Sequence, residues 1–513
     1  MSIDKRSVLL KMNRSLWLDT IPFPKYAPLT EHVEADLCIV GAGITGITLA
    51  YALRKSGLKI ALIEADQLMQ GATAYTTAKL TAQHHVIYHE LIKNYGKCSA
   101  KRYANAQVAA IEFVKGTHIE CDLEHLTSYV YTQREEHVQA LEEEWEAAKQ
   151  LGFDCHLMSD LELPFKVEKA VAFHNQGQYH PLKYLAGLLR ALEEDSTVTI
   201  YEQTAATDLN RLEDGRYQIQ TKNNHHLTVK RVVQACHFPF YDGGSLLFAK
   251  VEARTSYLMA TNQSKKHLTG MYISYEKPTR TMRSYKDFLI VGGEDHRVGT
   301  ADNSLEKYDS IRHFMSEYFQ TSDVKYHWST QDYMTPDKLP FIGELHQSGI
   351  YVATGYQKWG MTNGIAAALL LHDLLLGIAN PYAELVNPHR FNLKAQFKDL
   401  VAYNSRVVAE LVKGKLRMGE TFVDIDADLE NGQSKVIETM AGTYGVYKDQ
   451  DGQAHMLDIT CTHLGCELRF NQGETTWDCP CHGSRFSHKG DVINGPAHHN
   501  LRPDKNKIDP NVF

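Results

Sequence analysis

Apolar and polar positions divide the chain into stretches of different character. Leu37 to Val40 is a short apolar run suited to a buried parallel strand, and Lys59 to Ile63 is a second one closing on Glu64. Between them, Ile44 to Lys55 carries apolar residues at helical spacing and stops at Gly57. Residues 1–34 hold Trp17, Pro22, Pro24 and Pro28, which predicts an irregular, extended lead-in rather than a helix. Arg134 to Glu146 contains six glutamates and reads as the solvated face of an amphipathic helix. The longest apolar run, Ile365 to Ile378, is broken by His372 and Asp373 and is too short to span a bilayer. Residues 380–416 are mixed and helical in character, with the helical part ending at Gly414. Gly and Ser are scarce there, so the stretch predicts a semi-rigid linker. From Arg417 onward the pattern alternates as antiparallel strands do, with a hairpin turn at Asp449–Gly452.

At 513 residues the chain exceeds one ordinary core, and two or three domains are expected. Composition is globular, at 43% hydrophobic and 23% charged. The net charge of −8 gives no basic footprint for nucleic acid or an anionic membrane surface. The N-terminus has no apolar signal region and no twin arginine, so cytoplasmic residence is the default expectation. Five of the nine cysteines (Cys38, Cys98, Cys121, Cys155, Cys236) are scattered singly, as in a reduced compartment.

The first candidate site follows the first apolar run at once. Gly41-x-Gly43-x-x-Gly46 stands between strand and helix: Gly41 permits the tight turn, Gly43 lets backbone approach a pyrophosphate, and Gly46 lets the helix pack on the strand. The helix N-terminus supplies partial positive charge, and Glu64 is placed to accept from ribose hydroxyls. An acid at that position disfavours a ribose 2′-phosphate. This pattern alone leaves NAD and FAD open.

The second candidate site is near the other end. Cys461-x-His463 and Cys479-x-x-His482 are two short ligand pairs, accompanied by Cys466 and Cys481. Two thiolates and two neutral imidazoles from two loops are the donor set of an asymmetric [2Fe–2S] centre. A structural zinc site also uses Cys and His, but its usual spacings repeat one ligand type within a pair.

The second motif resembles the Rieske family, in its cytochrome bc-type branch. The resemblance implies that Cys461, His463, Cys479 and His482 hold one [2Fe–2S] cluster and that Cys466 and Cys481 form a disulfide tying the loops. Ser484 matches a position whose hydroxyl donates to a bridging sulfide, and Phe486 stands where that branch often has a sulfur-bonding Tyr. Loss of that donor implies a potential below the top of the family range. Asn494-Gly495-Pro496-Ala497 is similar to the segment following the second Rieske loop.

Residues 35–378 resemble the D-amino-acid oxidase and glycine oxidase superfamily, which implies FAD. Gly71–His84 is similar to its second flavin-contacting segment, Gly177–Leu185 to the helix leading into the substrate domain, and Thr335–Gly343 to its TPDxxPxIG segment. Tyr351–Gly377 is similar to the closing strand, loop and helix under the flavin ring. The resemblance places Gly41, Gly43, Ile44, Thr45, Gly46, Glu64, Ala65, Thr73, Thr77, Lys79, Leu80, Ala206, Ala235, Gly355, Trp359, Gly360, Met361 and Thr362 against FAD. Tyr75 occupies the position of the histidine that carries covalent flavin in some relatives, so the FAD is expected to be non-covalent.

The fold class implied is α/β (α+β overall). It comprises a Rossmann-like FAD-binding domain interleaved with an antiparallel-sheet substrate domain (35–379, the nucleotide-binding parts about 35–90, 175–240 and 328–379). The 380–416 linker and a small all-β Rieske domain (417–513) follow. The circuit implied is oxidation of an amine or amino acid by FAD, with single electrons leaving through the cluster to an acceptor protein or quinone. A reductase or oxygenase with inward flow, and a redox sensor or electron-transfer adaptor without organic substrate, are the alternatives. Relatives that bind a carboxylate often place a cation on the closing loop; Thr362 stands there, with Lys358 four residues earlier. Arg254, Tyr257, Arg283, Tyr285 and Lys358 are the pocket candidates. His84, His85 and His89 suggest a metal cluster, but packed or surface histidines are the commoner reading.

Overall fold

The computed structural model describes residues 14–262, 267–300, 303–321, 323–416, 429–439 and 442–502. The proposed domain boundary at 417, the first 13 residues and the end of the chain lie outside the described residues.

Two large sheets dominate. The first has eight strands around a parallel centre. Val33–Val40 pairs in parallel with His226–Gln234 on one side and Ile60–Ile63 on the other, and Val198–Tyr201 extends it beyond Ile60–Ile63. Ile350–Thr354 runs parallel to His226–Gln234, and Phe341–Leu345 closes that edge antiparallel. Leu37, Cys38, Ile39 and Val40 are all buried, as a strand covered on both faces requires. The helices Ile44–Leu53, Pro181–Glu193 and Gly360–Leu375 pack together against this sheet.

The second sheet has nine mostly antiparallel strands. Its long members are Glu124–Thr132, Lys169–Gln178, Glu252–Asn262, Phe288–Arg297 and Val324–Met334. Val40 of the first sheet and Ser256, Leu258 and Asp295 of the second line one cleft. The carboxy-terminal region is all-β among the described residues, with a three-stranded sheet (Ser434–Thr439, Gly442–Lys448, Ala454–Asp458) and a four-stranded one from Arg469 to Asn494. Gly445 is needed there because a Cβ would lie 2.2 Å from the Trp477 ring.

Three expectations change in detail. The lead-in is anchored: Leu16–Asp19 forms a short 3₁₀ turn, Trp17 is fully buried, and its indole donates to the Thr76 carbonyl (2.8 Å). The glutamate-rich helix, Val138–Gln150, is not solvated throughout. Glu144 is buried and its carboxylate accepts from the amides of Ile87, Tyr88 and His89 (2.9, 3.0 and 2.9 Å), capping the Tyr88–Gly116 helix. Residues 380–416 contain a 24-residue helix, Leu393–Leu416, and it is packed: Tyr403 donates to the Cys481 carbonyl (2.9 Å) and Asn404 to the Ala249 carbonyl (3.0 Å).

Candidate functional site

A cavity of about 1790 Å³ occupies the cleft between the sheets. One end is built by the glycine loop. Gly41, at φ 105°, has no room for a Cβ, which would lie 2.7 Å from the Ala235 carbonyl oxygen. At Gly46 a Cβ would lie 1.9 Å from the Gly41 oxygen, so helix meets strand directly. Thr73 accepts from the Ile44 amide (3.1 Å), joining the loop to the next segment. Glu64 accepts from the amides of Ala42 (2.8 Å) and Asp66 (3.3 Å) and also faces the cavity.

Of the residues expected against the dinucleotide, Gly41, Gly43, Ile44, Thr45, Glu64, Ala65, Thr73, Thr77, Lys79, Ala206, Ala235, Trp359, Gly360 and Met361 line this cavity. Gly46, Leu80, Gly355 and Thr362 do not, and each has another place. Gly46 is in the first turn of the Ile44–Leu53 helix, against the Gly41 carbonyl. Leu80 is in the core, opposite Gly177. Gly355, at φ 77°, makes the turn after Ile350–Thr354. Thr362 turns its hydroxyl to the His84 ring (2.7 Å) and the Thr81 carbonyl (3.1 Å).

His84 also bonds Tyr103 (2.6 Å) and stacks on Trp359 at 5.0 Å, and burial pulls its pKa down to about 3, keeping the ring neutral. His85 goes to the Ser274 carbonyl and His89 to Glu143. The three histidines do not converge, and no group of them forms a metal cluster among the described residues.

The pocket candidates separate in the same way. Lys358 lines the cavity, its ammonium 3.0 Å from Asp295, which also takes Arg254 (2.7 Å). Those two cations hold the Asp295 carboxyl at about 2 against the opposing effect of burial. Tyr257, Arg283 and Tyr285 lie away from the cavity lining. Tyr257 bonds His296 (3.0 Å), and Tyr285 bonds Asp122 (2.5 Å). Arg283 is buried and donates to the carbonyls of Thr77 and Ala78 (2.8 Å each), so it holds this part of the cavity wall from behind. Sequence reading missed Asp295 and Asp332 on the cavity wall. Asp332 is raised to about 6 by burial, opposed by the nearby Lys358 charge. Strand alternation signals a polar face there, but not what it faces.

The second site is formed by two loops that repeat one geometry. In the first, Cys461 N–H donates to the Cys466 carbonyl (2.8 Å) and Gly465 N–H to the Cys461 carbonyl (2.9 Å). In the second, Cys479 N–H donates to the Ser484 carbonyl (2.7 Å) and Gly483 N–H to the Cys479 carbonyl (3.0 Å). Gly465 and Gly483 both adopt positive φ, at 77° and 83°. The loops are joined by a Cys466–Cys481 disulfide. Cys461 and Cys479 are free and buried, and the His463 and His482 rings stand 5.1 Å apart.

Burial holds both imidazoles neutral, down at about 4. His482 Nδ1 is buried without a hydrogen-bond partner, as a nitrogen reserved for a metal would be. Two thiols, two neutral rings and that orphaned nitrogen fit an iron–sulfur cluster. The sulfurs of Cys466, Cys479 and Cys481 also cluster, but the disulfide consumes two of them.

The two sites share walls. Glu474, Arg485, Asn494 and His498 from the cluster region line the same cavity as Gly41 and Lys358. Arg485 holds Asp478 (3.0 Å) and reaches Ser329 (3.3 Å). Phe248 faces the His482 ring at 5.6 Å. Tyr333 packs on His237 (4.8 Å), which lines the cavity, and donates to the Gly495 carbonyl (3.1 Å).

A family model described as FAD dependent oxidoreductase matches residues 36–374. The chain belongs to that family. A second model, the Rieske [2Fe-2S] domain, matches residues 420–504, so this oxidoreductase carries a carboxy-terminal Rieske domain, and its cofactors are FAD and a [2Fe–2S] cluster. It is 38% identical over 94% of its length, and 95% of the relative's, to YhfW of Bacillus subtilis (strain 168), named as a Rieske 2Fe-2S iron-sulfur protein. It is 24% identical to gamma-glutamylputrescine oxidoreductase of Escherichia coli (strain K12), over 71% of this chain and 90% of that one. Among solved structures, glycine oxidase from Geobacillus kaustophilus superposes with a TM-score of 0.60 at 18% identity, covering 70% of this chain and 99% of that chain, a likeness of fold. Among the described residues no helix is long and apolar enough to cross a membrane.

Proposed function

We propose that the protein oxidises a small amine or amino acid and passes the electrons one at a time through its Rieske domain to an acceptor protein or quinone, in the cytoplasm. When bound, FAD supplies the two-electron oxidation of the substrate and the [2Fe–2S] cluster carries single electrons onward. The observation carrying this reading is the continuous cavity: its dinucleotide loop and its Rieske-domain wall enclose one space. Similarity to an oxidoreductase named for gamma-glutamylputrescine supports a nitrogen-bearing substrate.

The chain's own residues have distinct tasks in this scheme. Gly41, Gly43 and the amino end of the Ile44–Leu53 helix would hold the pyrophosphate, with Thr73 bracing the loop. Glu64 would take the ribose hydroxyls. The amino end of the Gly360–Leu375 helix, steadied by His84 on Thr362, would face the flavin carbonyls. Cys461, His463, Cys479 and His482 would hold the cluster, and Tyr75 leaves the flavin extractable by acid. On the substrate wall Lys358 is already paired with Asp295, so a substrate carboxylate would have to share it. Asp332 offers an acceptor for a substrate N–H, and an amine therefore suits this wall better than a free amino acid.

Anaerobic mixing with glycine, sarcosine, proline and putrescine tests the reading. Flavin bleaching followed by the reduced-cluster EPR signal is the expected result. Bleaching by NAD(P)H alone would instead favour inward flow, and no response to either would favour an adaptor.

A further inference from the structure

The outer edge of the nine-stranded sheet carries a second, separate group of histidine and carboxylate side chains. Cys155–Met158 is its edge strand and pairs antiparallel with Lys169–Gln178; His156 stands opposite Ala172, which puts His174 diagonally beside it. His156 Nδ1 and His174 Nε2 are 3.0 Å apart. Asp154 joins them: one ligand atom from each of the three lies within 4.8 Å of the others, and Asp154 and His156 are exposed.

Two contacts outside the trio orient it. Thr127 Oγ1 bonds the other nitrogen of His174 (3.1 Å), turning Nε2 toward His156, and Asn175 donates to the Asp154 carboxylate (3.2 Å). A hydrogen-bonded partner on the remote ring nitrogen is what fixes the tautomer and aim of a ligating histidine. The Asp154 backbone is fixed too, because His174 N–H donates to its carbonyl (2.9 Å).

We propose that Asp154, His156 and His174 bind a divalent transition metal, with Zn²⁺ the best match, and that the ion pins the edge strand to its neighbour. Two imidazoles and a carboxylate with solvent in the remaining position form a recurrent zinc donor set, and a tetrahedral ion with bonds of about 2.0–2.1 Å sets ligand atoms about 3.3 Å apart. The histidine pair need open by only a few tenths of an ångström. The exposed carboxylate has only to rotate inward. His156 Nδ1 gives up its shared proton position and carries its N–H on the solvent-facing nitrogen, so no net proton release is required. A hard ion such as Mg²⁺ is excluded by the imidazoles.

The test uses the full-length holoenzyme, with its iron content measured alongside. Equilibrium dialysis against ZnCl₂ and elemental analysis should find one more Zn²⁺ per chain in the wild type than in His156→Ala or His174→Ala. Zn²⁺ should raise the unfolding midpoint of the wild type by a few degrees and leave both variants unmoved. Flavin and iron content should be equal in all three, which separates loss of this site from damage elsewhere. Equal zinc stoichiometry in wild type and variants would overturn the proposal, and so would zinc binding that displaces iron without a difference at these positions.

Discussion

Glu144 shows how one side chain can set local stability. Its carboxylate caps three amides at the start of the Tyr88–Gly116 helix, and Glu144→Ala should destabilise the protein by about 3 kcal/mol, since buried donors lose their acceptor. Burial raises this carboxyl to about 7, although the three amides pull the other way. A carboxyl with a higher pKa in the folded state than in the unfolded one binds its proton better when folded. Its contribution is therefore fully present below about pH 4 and is lost as pH rises through about 7. In urea titrations the wild type should lose up to about 3 kcal/mol relative to Glu144→Gln between pH 5 and 8. A parallel pH dependence for the two would refute this.

Ser484 is the other decisive single residue. Its oxygen accepts from the Ala497 amide (3.0 Å), and after Cys479 it is one of the groups that lower the pKa of the Cys461 thiol. Ser484→Ala should lower the cluster's reduction potential, because the more negative reduced state loses a donor. A redox titration followed by EPR reads the shift, and an unchanged or higher potential would count against that role.

Among the elements, the strand–turn–helix from Val33 to Leu53 has the least tolerance. The 1.9 Å from a Cβ on Gly46 to the Gly41 oxygen is a collision with backbone, which no rotamer relieves. Gly46→Ala should push the helix off the strand, destabilise the fold by about 2–4 kcal/mol and leave purified protein without FAD. Flavin absorbance and thermal unfolding measure both, and a variant that retains stoichiometric FAD would show that the loop can shift.

Across the whole molecule, the Rieske domain is seated rather than tethered. Gly473 N–H donates to Ser304 (2.6 Å), Arg297 to the Pro480 carbonyl (3.1 Å) and Tyr403 to the Cys481 carbonyl. At Gly299, φ 68°, a Cβ would lie 2.8 Å from Pro480 Cβ and 2.9 Å from its Cα. Gly299→Ala adds about 1 kcal/mol or more of backbone strain and wedges the interface open at the second cluster loop, where Pro480 stands between Cys479 and Cys481. Electron tunnelling weakens steeply with distance, so after light-driven flavin reduction the cluster of this variant should fill more slowly. Its FAD and iron content should match the wild type. An unchanged transfer rate would show that the docked geometry does not govern the transfer.

The sequence by itself determined the parts whose chemistry is local. The Gly41–Gly46 loop, the Glu64 acid and the two Cys/His loops are dictated by residues a few positions apart, where backbone sterics and ligand spacing leave little choice. The alternating pattern also announced the carboxy-terminal hairpin, now seen between Gly442–Lys448 and Ala454–Asp458. Tertiary structure decided everything that depends on which strands become neighbours. It buried Arg283 behind Thr77 and Ala78 instead of in the pocket, turned Thr362 to His84, and drew Glu144 off the solvated face. It also packed the 393–416 helix against the second cluster loop and set Asp295 beside Lys358. Those pairings join residues dozens to hundreds of positions apart, and hydrophobic periodicity records which face a residue takes but not what lies across from it.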